Sequence, residues 1–187
     1  MKNICIFASG AGSNAKKIIE HFNNSTTVRV KLIVSNKSNA GVLDIAKQNN
    51  IRTLVIEKKV FYETDAVLKE LAKNNIDLIV LAGFMLLVPP YLVQAYTNKI
   101  INIHLALLPS YGGKGMYGHH VHEAVIKNKE PKSGITIHYV NEHYDEGQII
   151  LQAECTIEPN DTADTLAEKI HKLEHANYAG VIEKILI

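Results

Sequence analysis

Short apolar, β-branched runs recur along this chain at Asn3–Ala8, Val28–Val34, Thr53–Ile56, Ile76–Leu81 and Lys99–Ile103. Between them the period changes. Asn14–Phe22 places Ala15, Ile18, Ile19 and Phe22 on one helical face, and Gly41–Gln48 and Thr64–Lys73 also read as helices. Continuous apolar strands alternating with amphipathic helices predict a parallel sheet covered on both faces. Pro89-Pro90 suits the first turn of a short helix through Tyr96, and another helix is expected from Gly118 to Lys127. Gly134–Val140 and Gln148–Cys155 then read as strands joined by Asn141–Gly147. That connection is too short for a helical crossover, so the pair is expected to be antiparallel. Thr162–Ile187 reads as a long final helix, broken near Gly180. The pattern implies an α/β fold: a single-domain, Rossmann-like three-layer sandwich over residues 1–187, mostly parallel, with an antiparallel pair near the C-terminus.

Composition changes this picture little. A chain of 187 residues suits one domain with a full core, the usual prior being about 150. A net charge of +1 removes the electrostatic argument for nucleic acid. No run reaches membrane-spanning length and no basic leader opens the chain, so a cytoplasmic protein is expected, as a monomer or homodimer. Cys5 and Cys155 match no metal or redox spacing.

The strongest candidate for chemistry is Asn102-Ile103-His104, which closes an apolar run. Residues two apart on a strand share a face, so a carboxamide and an imidazole project together where open α/β sheets hold ligands. The polar loop Asn141–Gly147 offers Asp145, a carboxylate expected to orient His104 and favour its protonated form. Such a trio suits acyl transfer to an amine: the amide and imidazolium stabilise an oxyanion while a proton moves from nucleophile to leaving group.

A second candidate is Ala8-Ser9-Gly10-Ala11-Gly12-Ser13-Asn14, between the first strand and first helix. Its glycines allow a tight turn, and the helix start presents free N–H groups to a phosphate, with Ser13 and Asn14 as added donors. The third glycine and the acidic residue of a dinucleotide site are absent, which favours a mononucleotide-sized phosphate. Ser9 lacks the elbow of a serine hydrolase. His119, His120 and His122 open a helix at a spacing that does not converge on one ion, so no metal is expected. His138 alternates with apolar neighbours and is expected beside His104, in a supporting place.

Taken together, Ala8–Asn14, Leu81-Ala82-Gly83-Phe84-Met85, Asn102-Ile103-His104 with Leu107-Leu108-Pro109, Gly134–Val140, Asp145-x-Gly147 and Leu173-Glu174-His175 resemble the folate-dependent formyltransferases of purine biosynthesis. The resemblance implies formyl transfer from 10-formyltetrahydrofolate, as co-substrate, to the amine of glycinamide ribonucleotide. It implies Asn102, His104 and Asp145 as catalytic residues. Gly12, Ser13 and Asn14 would bind the phosphate and Glu174 the glycinamide end. Met85, Leu86, Leu87 and Val88 would meet the pteridine, together with Asn102 and the backbone of Asn141, Glu142, His143, Tyr144 and Asp145. Three departures stand out. Leu105 replaces the family's proline after Asn-x-His, which predicts a looser turn. Leu86, and the stretch Phe61–Ala66, lack the arginines of many members. Tyr111–Gly118 is longer and glycine-rich, suggesting a flap with Lys114 at its centre. The alternatives are transfer to another small amine, and a catalytically silent phosphate- or nucleotide-binding module.

Overall fold

The computed structural model describes residues Met1–Ile187. Its elements, in order, are β1 (Lys2–Phe7), α1 (Ser13–Phe22), β2 (Val28–Ser35), α2 (Gly41–Gln48), β3 (Arg52–Val55), α3 (Lys58–Glu63), α4 (Ala66–Lys73), β4 (Leu78–Leu81), α5 (Pro90–Ala95), β5 (Ile100–His104), α6 (His119–Lys127), β6 (Lys132–Tyr139), β7 (Ile149–Thr156) and α7 (Ala163–Leu186). They build one sheet in the order β3-β2-β1-β4-β5-β6-β7. Strands β1 to β5 pair in parallel, whereas β6 is antiparallel to both β5 and β7.

The continuous apolar strands follow from burial on both faces. In β1, Ile4 and Ile6 pack in the core beneath α1, α2, α6 and α7, while Cys5 and Phe7 pack in the opposite core with Phe61, Val67, Leu71 and Leu92 of α3, α4 and α5. No helix is long and apolar enough to cross a membrane. From β1 the chain builds outward through β2 and β3, then returns to the other side of β1 as β4. The loops after β1 and β4 therefore diverge, and a crevice opens at that switch point. Ser9 holds its floor: its amide donates to the Gly83 carbonyl at 3.0 Å, and its hydroxyl accepts the Met85 amide at 2.9 Å.

Two expectations are corrected. Helix α3 was hidden because six residues carry one apolar anchor, Phe61, which is fully buried against Phe7 and Phe84. Thr64 terminates it, its hydroxyl donating to the Val60 carbonyl, so α4 begins at Ala66 rather than Thr64. Helix α7 runs unbroken past Gly180. A mid-helix glycine costs about 1 kcal/mol, and the buried Tyr178, Val181 and Ile182 around it supply packing enough to carry the helix through.

Candidate active site

The crevice is a cavity of about 900 Å³ whose wall draws on Gly10–Asn14 after β1, Leu81–Val88 after β4, Asn102–Leu105 of β5 and beyond, the Gly113–Gly118 loop, His138, His143–Asp145, and His171 and Glu174 of α7. At its centre stand Asn102 and His104, on one face of β5 as their spacing requires. Strand β6 pairs antiparallel, with His138 opposite Asn102 and Thr136 opposite His104. The register settles the proton positions. His138 Nδ1 lies 2.8 Å from the Tyr139 carbonyl, which can only accept, so Nδ1 carries the hydrogen. Nε2 then accepts from the Asn102 amide at 3.2 Å, leaving that amide's second N–H and its carbonyl for a ligand. This contact gives His138 a definite part: it orients Asn102.

Asp145 arrives from the loop after β6, which folds back over the strand ends. Gly147 makes this possible, because a Cβ there would stand 1.7 Å from the Tyr139 carbonyl oxygen. Asp145 itself is left-handed, at φ 56°, a region short polar side chains tolerate. Its Oδ2 accepts the Gly113 amide at 2.9 Å and lies 3.6 Å from His104 Nδ1, while Oδ1 lies 3.7 Å from His138 Nε2. The carboxamide, imidazole and carboxylate thus converge.

The electrostatics differ from expectation at one point. Burial dominates at His104, which is 6% exposed, and pulls its pKa below the ordinary imidazole value. Asp145 and the Tyr111 carbonyl pull upward but are outweighed. The ring is therefore a neutral base near pH 7 rather than the standing imidazolium that the sequence suggested. At Asp145 burial pushes upward, but His138, His104 and the Gly113 amide together hold the carboxyl below its usual value. His104 Nε2 donates to the Tyr111 carbonyl at 2.7 Å.

The turn after His104 is tied down despite Leu105. Fully buried Thr136 donates from Oγ1 to the Ala106 carbonyl at 2.7 Å and accepts the Leu108 amide at 2.9 Å, and Gln152 donates to both Thr136 and the Leu108 carbonyl. Three hydrogen bonds, to the Ala106 carbonyl, the Leu108 amide and the Leu108 carbonyl, hold this turn where the family's proline is absent.

At the α1 end, Gly12 adopts φ 82° and lies against Val42, which an added Cβ would meet at 2.8 Å. The helix has no side-chain cap, and its first turn begins with Lys16 N–H bonding to the Gly12 carbonyl, so earlier N–H groups are free for an anion. Ser13 lines the cavity. Asn14 is turned elsewhere: its Nδ2 donates to Glu174 Oε1 at 2.8 Å, in a buried contact across 160 residues. Glu174, 2% exposed, also accepts from His171 Nδ1 at 2.7 Å, a bond that raises the His171 pKa. At the other end, Met85, Leu86, Leu87 and Val88 form an apolar wall facing His143 and Tyr144. Asn141 and Glu142 are not part of the wall. Asn141 accepts the His143 amide to close a turn, and Glu142 accepts from Gln94 of α5 on the surface.

His119, His120 and His122 diverge. The first two are exposed beside Glu123 and Asp164, whereas His122 is buried and its pKa falls to about 4, chiefly through burial. No group of three or more His, Cys, Asp or Glu is arranged to hold a metal. Sequence reasoning missed the Tyr111 carbonyl and the Gly113 amide, since backbone groups carry no residue signature. It also missed His171, for which the i, i+3 spacing to Glu174 was the available signal.

A mostly parallel, doubly wound α/β sheet with a carboxamide, an imidazole and a carboxylate gathered in its switch-point crevice places this chain among the α/β proteins that hold a ligand site there. The chain belongs to the formyl transferase family, whose model matches residues 2–182. It is 40% identical to the chloroplastic phosphoribosylglycinamide formyltransferase of Arabidopsis thaliana, over 98% of this chain and 65% of that protein. It is 37% identical to the phosphoribosylglycinamide formyltransferase of Bacillus subtilis, over 100% of this chain and 95% of that one. The chain spans 65% and 61% of the lengths of the two plant relatives. The crystal structure of phosphoribosylglycinamide formyltransferase from Bacillus halodurans superposes with a TM-score of 0.90 at 37% identity, covering 99% of this chain and 95% of that one.

Proposed function

We propose that this chain, acting as one domain in the cytoplasm, transfers the formyl group of 10-formyltetrahydrofolate to the amine of glycinamide ribonucleotide in purine biosynthesis. It works as a monomer or homodimer without nucleic acid. The observation that carries this reading is the convergence of Asn102, His104 and Asp145 between a helix start suited to phosphate and an apolar wall suited to a flat ring. A volume of about 900 Å³ lies near the top of the usual range for ligand sites, enough for two small molecules meeting end to end.

The amine nitrogen attacks the formyl carbon, and the carbonyl oxygen gains charge that the free Asn102 N–H stabilises. Once the Tyr111 carbonyl releases Nε2, the neutral His104 ring carries its hydrogen on Nδ1 toward Asp145. Nε2 of His104 takes the proton the amine sheds, and ionised Asp145 stabilises the imidazolium so formed. The C–N10 bond then breaks, the proton passes to N10, and tetrahydrofolate leaves with the amine formylated. His104 Nε2 is occupied by the Tyr111 carbonyl, so a ligand reaches that nitrogen only as the Tyr111–Gly113 segment shifts. Gly12 and Ser13 hold the phosphate, Glu174 with Asn14 the glycinamide end, and Met85–Val88 with His143 and Tyr144 the pteridine. The test is incubation with both molecules, following tetrahydrofolate by absorbance. Amine-dependent release supports transfer; release without amine indicates a hydrolase, and no release a silent binder.

A further inference from the structure

We propose that Lys114 is the cation that binds the phosphate of the amine substrate, a role that rests on the formyl-transfer reading of the same cavity. Among the lysines and arginines of the chain, Lys114 alone lines the wall. The wall already carries two carboxylates, Asp145 and Glu174. Asp145 accepts the Gly113 amide beside the His104 and His138 rings, Glu174 accepts from Asn14 and His171, and neither carboxylate forms an ion pair with the Lys114 ammonium. A phosphate monoester near −2 gains only about half a unit of opposing charge from a helix start. Glu174, bonded to Asn14 at that same helix start, opposes it. A cation on a long side chain answers both deficits.

Placement favours the phosphate over an anion at the apolar wall. Lys114 sits between Gly113 (φ 93°) and Gly115 (φ 92°), left-handed positions that glycine adopts without strain and that turn this segment sharply. One side of the segment is anchored by the Gly113 bond to Asp145, and on the other Met116 packs against the core that lies beneath α1, α2, α6 and α7. The chain then enters α6, which packs on α7, the helix carrying Glu174. The segment thus leaves the Asp145 anchor for the face of the sheet that α1 and α7 cover, and a long flexible stem lets the ammonium reach into the cavity they share.

The test measures calorimetric binding of glycinamide ribonucleotide, its 5′-dephosphorylated nucleoside and a 10-formylfolate to the full chain, its Lys114→Met variant and its Lys114→Arg variant. Lys114→Met is expected to weaken the ribonucleotide by about 10- to 100-fold, as for a charge-assisted contact. It should leave nucleoside and folate unchanged, and Lys114→Arg should restore most of the loss. Ribonucleotide binding equal to wild type, or an equal loss with the nucleoside, overturns the proposal. A loss confined to the folate also overturns it and gives the lysine to the folate carboxylates. Wild-type protein that binds the ribonucleotide with this lysine dependence yet yields no formylated product would sink the formyl-transfer reading and leave the phosphate contact standing.

Discussion

The two ends of the cavity are built on different physics. At the α1–α7 end, Asn14, Glu174 and His171 form a hydrogen-bonded chain, two of its members at least nine-tenths buried, next to a helix start. At the other end Met85 and Tyr144 are 44% and 42% exposed over an apolar wall. A buried polar chain is organised before its ligand arrives and discriminates by unpaired-group penalties, which are steep. An apolar, partly open wall discriminates by contact area, which is shallow. On the proposed function, one end sets which amine is taken, and the other accepts a flat ring with less exacting demands. The groups proposed to react stand between, Asn102 and His104 on the one strand β5 and Asp145 on a loop.

The largest effects should appear where the ends meet. His104→Ala and Asp145→Asn are each expected to lower kcat by at least about 100-fold while calorimetric affinities at both ends hold. Loss of affinity in place of turnover would make these residues part of one binding end. Next, Glu174→Ala strands the buried Asn14 amide. KM for the amine should rise about 10- to 100-fold with the formyl-donor KM unchanged, and stability should fall by about 1–3 kcal/mol in urea melts. Equal shifts in both KM values would erase the distinction between the ends. Met85→Ala should raise only the donor KM, by about tenfold or less, as expected for lost apolar contact.

The smallest effect concerns pH. Unfolded His122 binds a proton below about 6.5. The folded ring does so only near 4, so stability falls as pH drops through that window. His171 works the other way: its raised pKa adds stability at low pH that fades as pH climbs past the folded value. His122→Asn should flatten the acid limb of a thermal-melt profile. An unchanged limb would assign the acid sensitivity to other groups.

Much of this was legible beforehand because strand burial on both faces and helical periodicity are strong local signals. The mostly parallel sheet and the antiparallel β6–β7 pairing followed from them, whereas the strand order came only with the structure. Asn102 and His104 were readable as a pair from spacing alone. Other features are properties of three-dimensional contact. Asn14 looked like a phosphate donor until α7 brought Glu174 to it, and the charge of His104 depended on a burial that no loop pattern displays. Thr136, one alternating residue of β6, reads as core filler, yet it ties the turn that lacks the family's proline.

The central claim is that His104 and Asp145 act as one unit on one carbon. A double-mutant cycle on kcat measures this directly, using His104→Ala, Asp145→Asn and the two combined. The account predicts that the double variant is scarcely slower than His104→Ala alone, because Asp145 acts through the ring. Losses that multiply, each variant costing its full factor in the presence of the other, would show two groups working independently and contradict it.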